Sequence, residues 1–194
     1  MDRRAWSDEE MILSLDLYYK LPFGRLNQHT PEVRELASLI GRTPSSVALR
    51  LVNYAACDPY IVNSGRRGMV SGIGKCKPFW DHYADNTEKL FLQAESIRAS
   101  LLAKPVEEIL QLNSTDFIGQ EKEAVIKQRI NQNAFRAVIL ANYNEQCAIS
   151  GICIPQLLIA SHIVPWSDDV NNRLIQLTAF VYHRYMIKHL IKDI

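Results

Sequence analysis

The sequence predicts an α+β protein that is predominantly helical, with one small strand pair in its last third. Three observations carry this. Residues 1–58 hold three short apolar repeats of helical period, each opened by a capping signal. Helical spacing then dominates from residue 78 to residue 140. After it come two short apolar runs, at 148–149 and 157–160, parted by Gly151 and Pro155, the pattern of two strands of a hairpin.

The elements follow in order. Ser7 is a good N-cap, and Glu10 three residues on completes a capping box. Ile12, Leu13, Leu15, Leu17 and Tyr18 then give an apolar face up to about Lys20, where Leu21-Pro22-Phe23-Gly24 breaks the helix. Thr30-Pro31 starts a second helix, with Pro in its first turn, and Gly41 stops it. Thr43-Pro44 opens a third, carried by Val47, Leu49, Leu51, Val52 and Tyr54 and ended at Asp58-Pro59. Asn63-Ser64-Gly65-Arg66-Arg67-Gly68 and Gly72-Ile73-Gly74-Lys75 read as loop, either a solvated surface or flexible basic contacts with nucleic-acid backbone. Pro78-Phe79-Trp80 restarts a helix that continues past Asn86-Thr87-Glu88 to Leu102, and Phe79, Trp80 and Tyr83 read as core. Pro105-Val106 opens a short connector. From Glu121 a long helix runs through Ile126, Phe135 and Leu140.

Composition narrows the class. In 194 residues, 47% are hydrophobic and 22% charged, as in a soluble globular protein. No apolar run approaches the roughly 20 residues of a membrane helix. The charged start, Met1-Asp2-Arg3-Arg4, lacks an apolar signal core, so the expectation is a cytoplasmic protein with no membrane partner. A net charge of +1 neither demands nor excludes nucleic acid, because a local basic face is what matters there. The four scattered cysteines form no C-x-x-C pair and read as small buried hydrophobes.

Trp6 and Asp8-Glu9-Glu10, followed by Leu36-Ala37-x-x-Ile40-Gly41-Arg42-Thr43-x-x-Ser46-Val47, resemble SANT/Myb-like helix-turn-helix modules. The resemblance implies that the third helix enters the DNA major groove, with Arg42, Ser45, Ser46 and Arg50 contacting phosphate or bases. Such modules also bind proteins, so packing or recruitment stands beside DNA contact.

Further along stand Arg129-x-Asn131-Gln132-x-x-Phe135-Arg136, Tyr143-x-x-x-Cys147-Ala148-Ile149-Ser150-Gly151 and Leu157-Leu158-x-Ala160-Ser161-His162-Ile163-x-Pro165-Trp166. Together they resemble the HNH (ββα-metal) endonucleases of bacterial restriction type, and the likeness extends to about Leu174. It implies a ββα element whose histidine, His162, deprotonates the water that attacks a DNA phosphorus. Imidazole, with a pKa near 6.5, suits that task. It also implies Mg²⁺ or another divalent ion stabilising the developing charge. Where many relatives place an Asp or His before the base, this chain has Ser161, so the ion would lean on groups of the following loop and helix; Asp168, Asp169 and Asn172 are the candidates there, with a solvated turn as the other reading. Gln132 and Arg136 would support the site or touch phosphate, Arg136 being otherwise a surface residue of its helix; the basic loop residues Arg66 and Arg67 would touch DNA backbone or stay solvated. Cutting both strands would call for a homodimer.

The family's closing Asn-Gly loop and His-Asp helix are missing. Back-translated from Ile175 and read one base earlier, with free third positions chosen to suit, the tail spells Asn-Pro-Thr-Asn-Gly-Ile-Cys-Leu-Ser-Ser-Leu-His-Asp-Lys-Ala-Phe-Asp-Lys-Gly. Met186 followed by Ile187 forces the Asp of that reading. A one-base deletion near the Leu174 codon accounts for this; a natural C-terminal helix carrying Phe180, Val181 and Tyr185 is the alternative. The expected organisation is therefore a SANT-like module at 1–58, a helical connector at 59–118, an incomplete HNH domain at 119–174 and an atypical tail at 175–194.

Overall fold

The computed structural model describes residues 4–112, 119–162 and 179–183. The described residues are mostly helical, with eight α-helices and one two-stranded antiparallel sheet. Among them, no helix is long and apolar enough to cross a membrane. The chain divides into two compact units: Met1–Tyr19 with Phe23–Gln132, and Lys20–Pro22 with Asn133–Ile194.

The first unit contains α1 (Asp8–Tyr19), α2 (Pro31–Leu39), α3 (Pro44–Ala55), α4 (Pro59–Asn63), α5 (Ile73–Tyr83), α6 (Thr87–Leu102) and α7 (Val106–Ile109). The capping box forms as expected: Glu10 N donates to Ser7 Oγ at 3.3 Å, and Ser7 N to Glu10 Oε2 at 2.9 Å. Gly41 ends α2 at φ +65°, a conformation that only glycine adopts cheaply. Thr43 caps α3 by accepting from Ser46 N at 3.2 Å. Helix α3 ends at Ala55, and α4 follows after a short turn, because the Asp58 carboxylate caps it by accepting from Tyr60 N at 2.8 Å and Pro59 fits the first turn.

Two stretches differ from expectation. The second basic stretch is not loop, since α5 begins at Ile73 and runs through Pro78. Helix α5 also does not continue into α6; Asn86 caps a new helix by accepting from Lys89 N at 3.1 Å.

Helix α1 is the spine of this unit, packing against α2, α3, α5 and α6. It is buried nearly all round, from Glu10 to Tyr18. Helices α1, α2 and α3 thus share one core with α5 and α6. Trp80 stacks on Tyr19 with ring centres 5.6 Å apart and meets Tyr18 edge-on at 5.9 Å, which places Trp80 in the core as expected. Asp16, fully buried in α1, is matched by Arg98 of α6 at 2.6 Å. Burial raises the cost of that carboxylate, and the guanidinium offsets it.

The second unit is built on α8 (Gln120–Asn142), whose last ten residues lie in it, and on the sheet. Strand β1 (Leu158–His162) pairs antiparallel with β2 (Ala179–His183), in register Leu158 with His183 through His162 with Ala179. Phe135, Ile139, Cys147, Leu158 and Val181 make its core.

This sheet corrects the expected hairpin. Residues 148–149 form a turn, not a strand. The partner of β1 comes instead from the tail read as aberrant or helical, where Val181 is fully buried. Ala148 nonetheless reaches the sheet: its N–H donates to Val181 O at 2.9 Å. Strand β2 therefore lies between β1 and the 147–152 turn, inserted between the two segments that the sequence pairs directly.

Candidate functional site

His162 closes β1, opposite Ala179. Its backbone is fixed by pairing and by the burial of Leu158 and Val181 against Phe135 and Ile139 of α8. Its imidazole lies outside the described residues, as do Asp168 and Asn172. Among the described residues, no group of three or more His, Cys, Asp or Glu side chains is gathered as a metal would need.

Arg136 is engaged with the backbone of the second unit. Its guanidinium donates to Leu158 O at 2.8 Å and to Pro155 O at 2.9 Å. It thereby ties α8 to the start of β1 and satisfies two carbonyls where the chain enters the strand. Arg136 is a positioning residue for the strand that ends in His162.

In the first unit, the predicted contact residues of α3 separate into two groups. Ser45 is exposed, and Ser46 sits half-buried with its N–H used by the Thr43 cap. Arg42 and Arg50 are turned inward. Arg42 donates to both Glu10 oxygens, at 3.0 and 2.7 Å, and to the carbonyls of Arg4 and Ala5 at 3.1 and 2.6 Å. Arg50 is 8% exposed and donates to Cys76 Sγ at 3.4 Å. The two guanidinium carbons lie 4.4 and 4.7 Å from the centre of the Trp6 ring. Trp6 is thus held between two cations, an arrangement that fixes residues 4–7 to the turn before α3. Both arginines, expected in a groove, make structural contacts here: Arg42 balances the buried Glu10 carboxylate, and Arg42 and Arg50 both pack on the Trp6 ring.

Burial pushes the Glu10 carboxyl upward, but the Arg42 hydrogen bond, the Ser7 N–H and the Arg42 and Arg4 charges together hold it below the usual carboxylate range. Burial pushes the Cys57 thiol up to about 11, and the Cys76 thiol upward despite Arg50. Neither thiol is activated as a nucleophile. An open cleft of about 350 Å³ lies beside Asp8, Phe79, His82 and Tyr83. The Tyr83 hydroxyl there is already used, donating to Gln93 Oε1 at 2.6 Å.

Arg66 and Arg67 are exposed, on a segment laid along α3. Met69 N donates to Val52 O at 3.0 Å, and Asn53 Nδ2 donates to Met69 O at 2.8 Å. Asn53, 3% exposed, was not among the expected functional residues. The signal for it was present: an amide standing between Leu51 and Tyr54 on the buried face of a helix needs a partner.

Comparison with family models, with curated proteins and with solved structures found no match.

Proposed function

We propose that this chain is a DNA endonuclease of HNH type, hydrolysing phosphodiester bonds with His162 as general base. The observation that carries this is the placing of His162 at the end of a strand in a two-stranded antiparallel sheet backed by a helix, within the motif Ala160-Ser161-His162-Ile163-x-Pro165-Trp166. A strand end gives a rigid backbone from which a base can meet water in a fixed direction. His162 takes the proton as water oxygen bonds to phosphorus and the phosphate–sugar ester bond breaks. A divalent ion, when bound, supplies charge for the phosphorane-like transition state, and Asp168 and Asn172 are the residues proposed to hold it. Arg136 keeps β1 in place.

Incubation of supercoiled plasmid with Mg²⁺ or Mn²⁺ tests the reading. Nicking by the unaltered protein and none by His162→Ala is expected; equal nicking by both removes His162 from the chemistry, and no nicking by either sinks the enzyme. A second reading, a non-catalytic DNA-binding protein acting through the first unit, is favoured by one observation: the exposed basic segment laid on α3.

A further inference from the structure

Resting on DNA as the partner, we propose that the segment 65–75, through Arg66, Arg67 and Lys75, is the element that grips the phosphate backbone of duplex DNA, in place of Arg42 and Arg50. Charge is the first observation. Between Asp58 and Asp81 there is no acidic residue, while Arg66, Arg67, Lys75 and Lys77 all fall there. The formal +1 of the chain therefore conceals +4 in this stretch set against −3 elsewhere. A polyanion meets the local field rather than the net charge.

Availability is the second. Arg67 and Lys75 are exposed and have no ion-pair partner among the described residues. Lys77 is paired with Asp81 at 2.9 Å and is left out for that reason. Arg66 rests over the Phe23 ring at 5.5 Å, which orients its guanidinium without neutralising it. Arg42 and Arg50 are consumed by Glu10, Trp6 and Cys76.

Order is the third. The segment is strapped to α3 at Met69 by a hydrogen bond on each side, from Met69 N and to Met69 O. It lies so close that a Cβ on Gly68 would come within 2.2 Å of Ala56 N, and one on Gly72 within 2.2 Å of Asn53 Oδ1. Both glycines are needed for the approach. Cations on a fixed strap lose little freedom on binding, so more of their attraction survives as affinity. The contact is to backbone phosphates and so independent of sequence.

The test is binding to a mixed-sequence duplex of about 30 base pairs in EDTA, where no cleavage occurs, across a salt series. Each phosphate contact contributes about 0.9 to the slope of log affinity against log salt, so R66Q/R67Q/K75Q should lower the slope by about 2 to 3 and weaken binding at least tenfold at low salt. The charge-matched triple R34Q/K104Q/K127Q should keep the slope, and circular dichroism should show both triples folded. Binding by R66Q/R67Q/K75Q with an unchanged slope overturns the assignment, as does equal weakening by the two triples. In both cases the nicking assay with His162→Ala still decides the nuclease reading by itself. Absence of any duplex binding by the unaltered protein removes the grip and the DNA reading together.

Discussion

Glu10 shows how one side chain can serve a cap, an ion pair and a turn at once. Its carboxylate accepts from Ser7 N, completing the first turn of α1, and from Arg42, anchoring the loop before α3. Glu10→Gln removes the charge and leaves Arg42 half-matched, which should cost roughly 2 kcal/mol at neutral pH. The folded-state pKa of Glu10 lies below its ordinary 4.5, so its contribution is present above that value and is lost as pH falls through the folded value. Urea denaturation from pH 7 to pH 3 should therefore show the gap between unaltered protein and Glu10→Gln narrowing below about pH 4.5. A gap independent of pH would remove the ion pair from the account. Asp16→Ala leaves Arg98 with Glu95 alone, at 2.7 Å, and should cost a comparable amount, roughly 2 kcal/mol. The capping box was legible in Ser7 and Glu10 because it is a local, four-residue pattern. The inward turn of Arg42 and Arg50 was not, because it depends on Trp6 arriving from 36 and 44 residues away along the chain, and nothing local encodes that.

Among elements, the capped helices and strand β1 were readable, and the partner of β1 was not. Caps and periodicity fix α1, α2, α3 and α8 within a turn of where the sequence puts them. The start of α5 was hidden by Gly72 and Gly74, residues that argue for loop unless packing against α3 overrides them. The hairpin failed for a topological reason. Two apolar runs close in sequence look like partners, yet β2 arrives later and takes the place between them. Val181 fills the centre of that core, so Val181→Asp should unfold the second unit, seen as loss of amide protection at Phe135, Ile139 and Leu158. Retained protection at those amides would show that β2 is dispensable. At the strap, Asn53→Ala should free residues 65–72, read as faster proteolysis beside Arg66 and Arg67, with α3 itself intact.

For the molecule as a whole, the near balance of 22 basic and 21 acidic residues is uneven in space rather than small in effect. Solubility should pass through a minimum near the isoelectric point of about 7.7 and recover on either side, measured by turbidity at fixed protein concentration. The words around His162 carry the resemblance on which the proposed nuclease reading rests, whereas the stretch after Leu174 resembles that family only in the shifted reading frame. Sequencing the gene across the Leu174 codon tests this directly: a shifted frame that stops at once ends the deletion hypothesis. In that frame the five positions of β2 read Gly-Ile-Cys-Leu-Ser, still apolar at the centre. Plasmid products bear on assembly, since single nicks fit a lone copy and linear DNA fits a homodimer.

The late insertion of β2 sets a clock on synthesis. While residue 183 is still inside the ribosome, the nascent chain already holds β1 but not the strand that covers its edge. An unpaired edge invites pairing with any neighbour, so the second unit is most prone to aggregate in the interval before translation passes that codon, and a stalled or prematurely terminated product should be found in inclusion bodies.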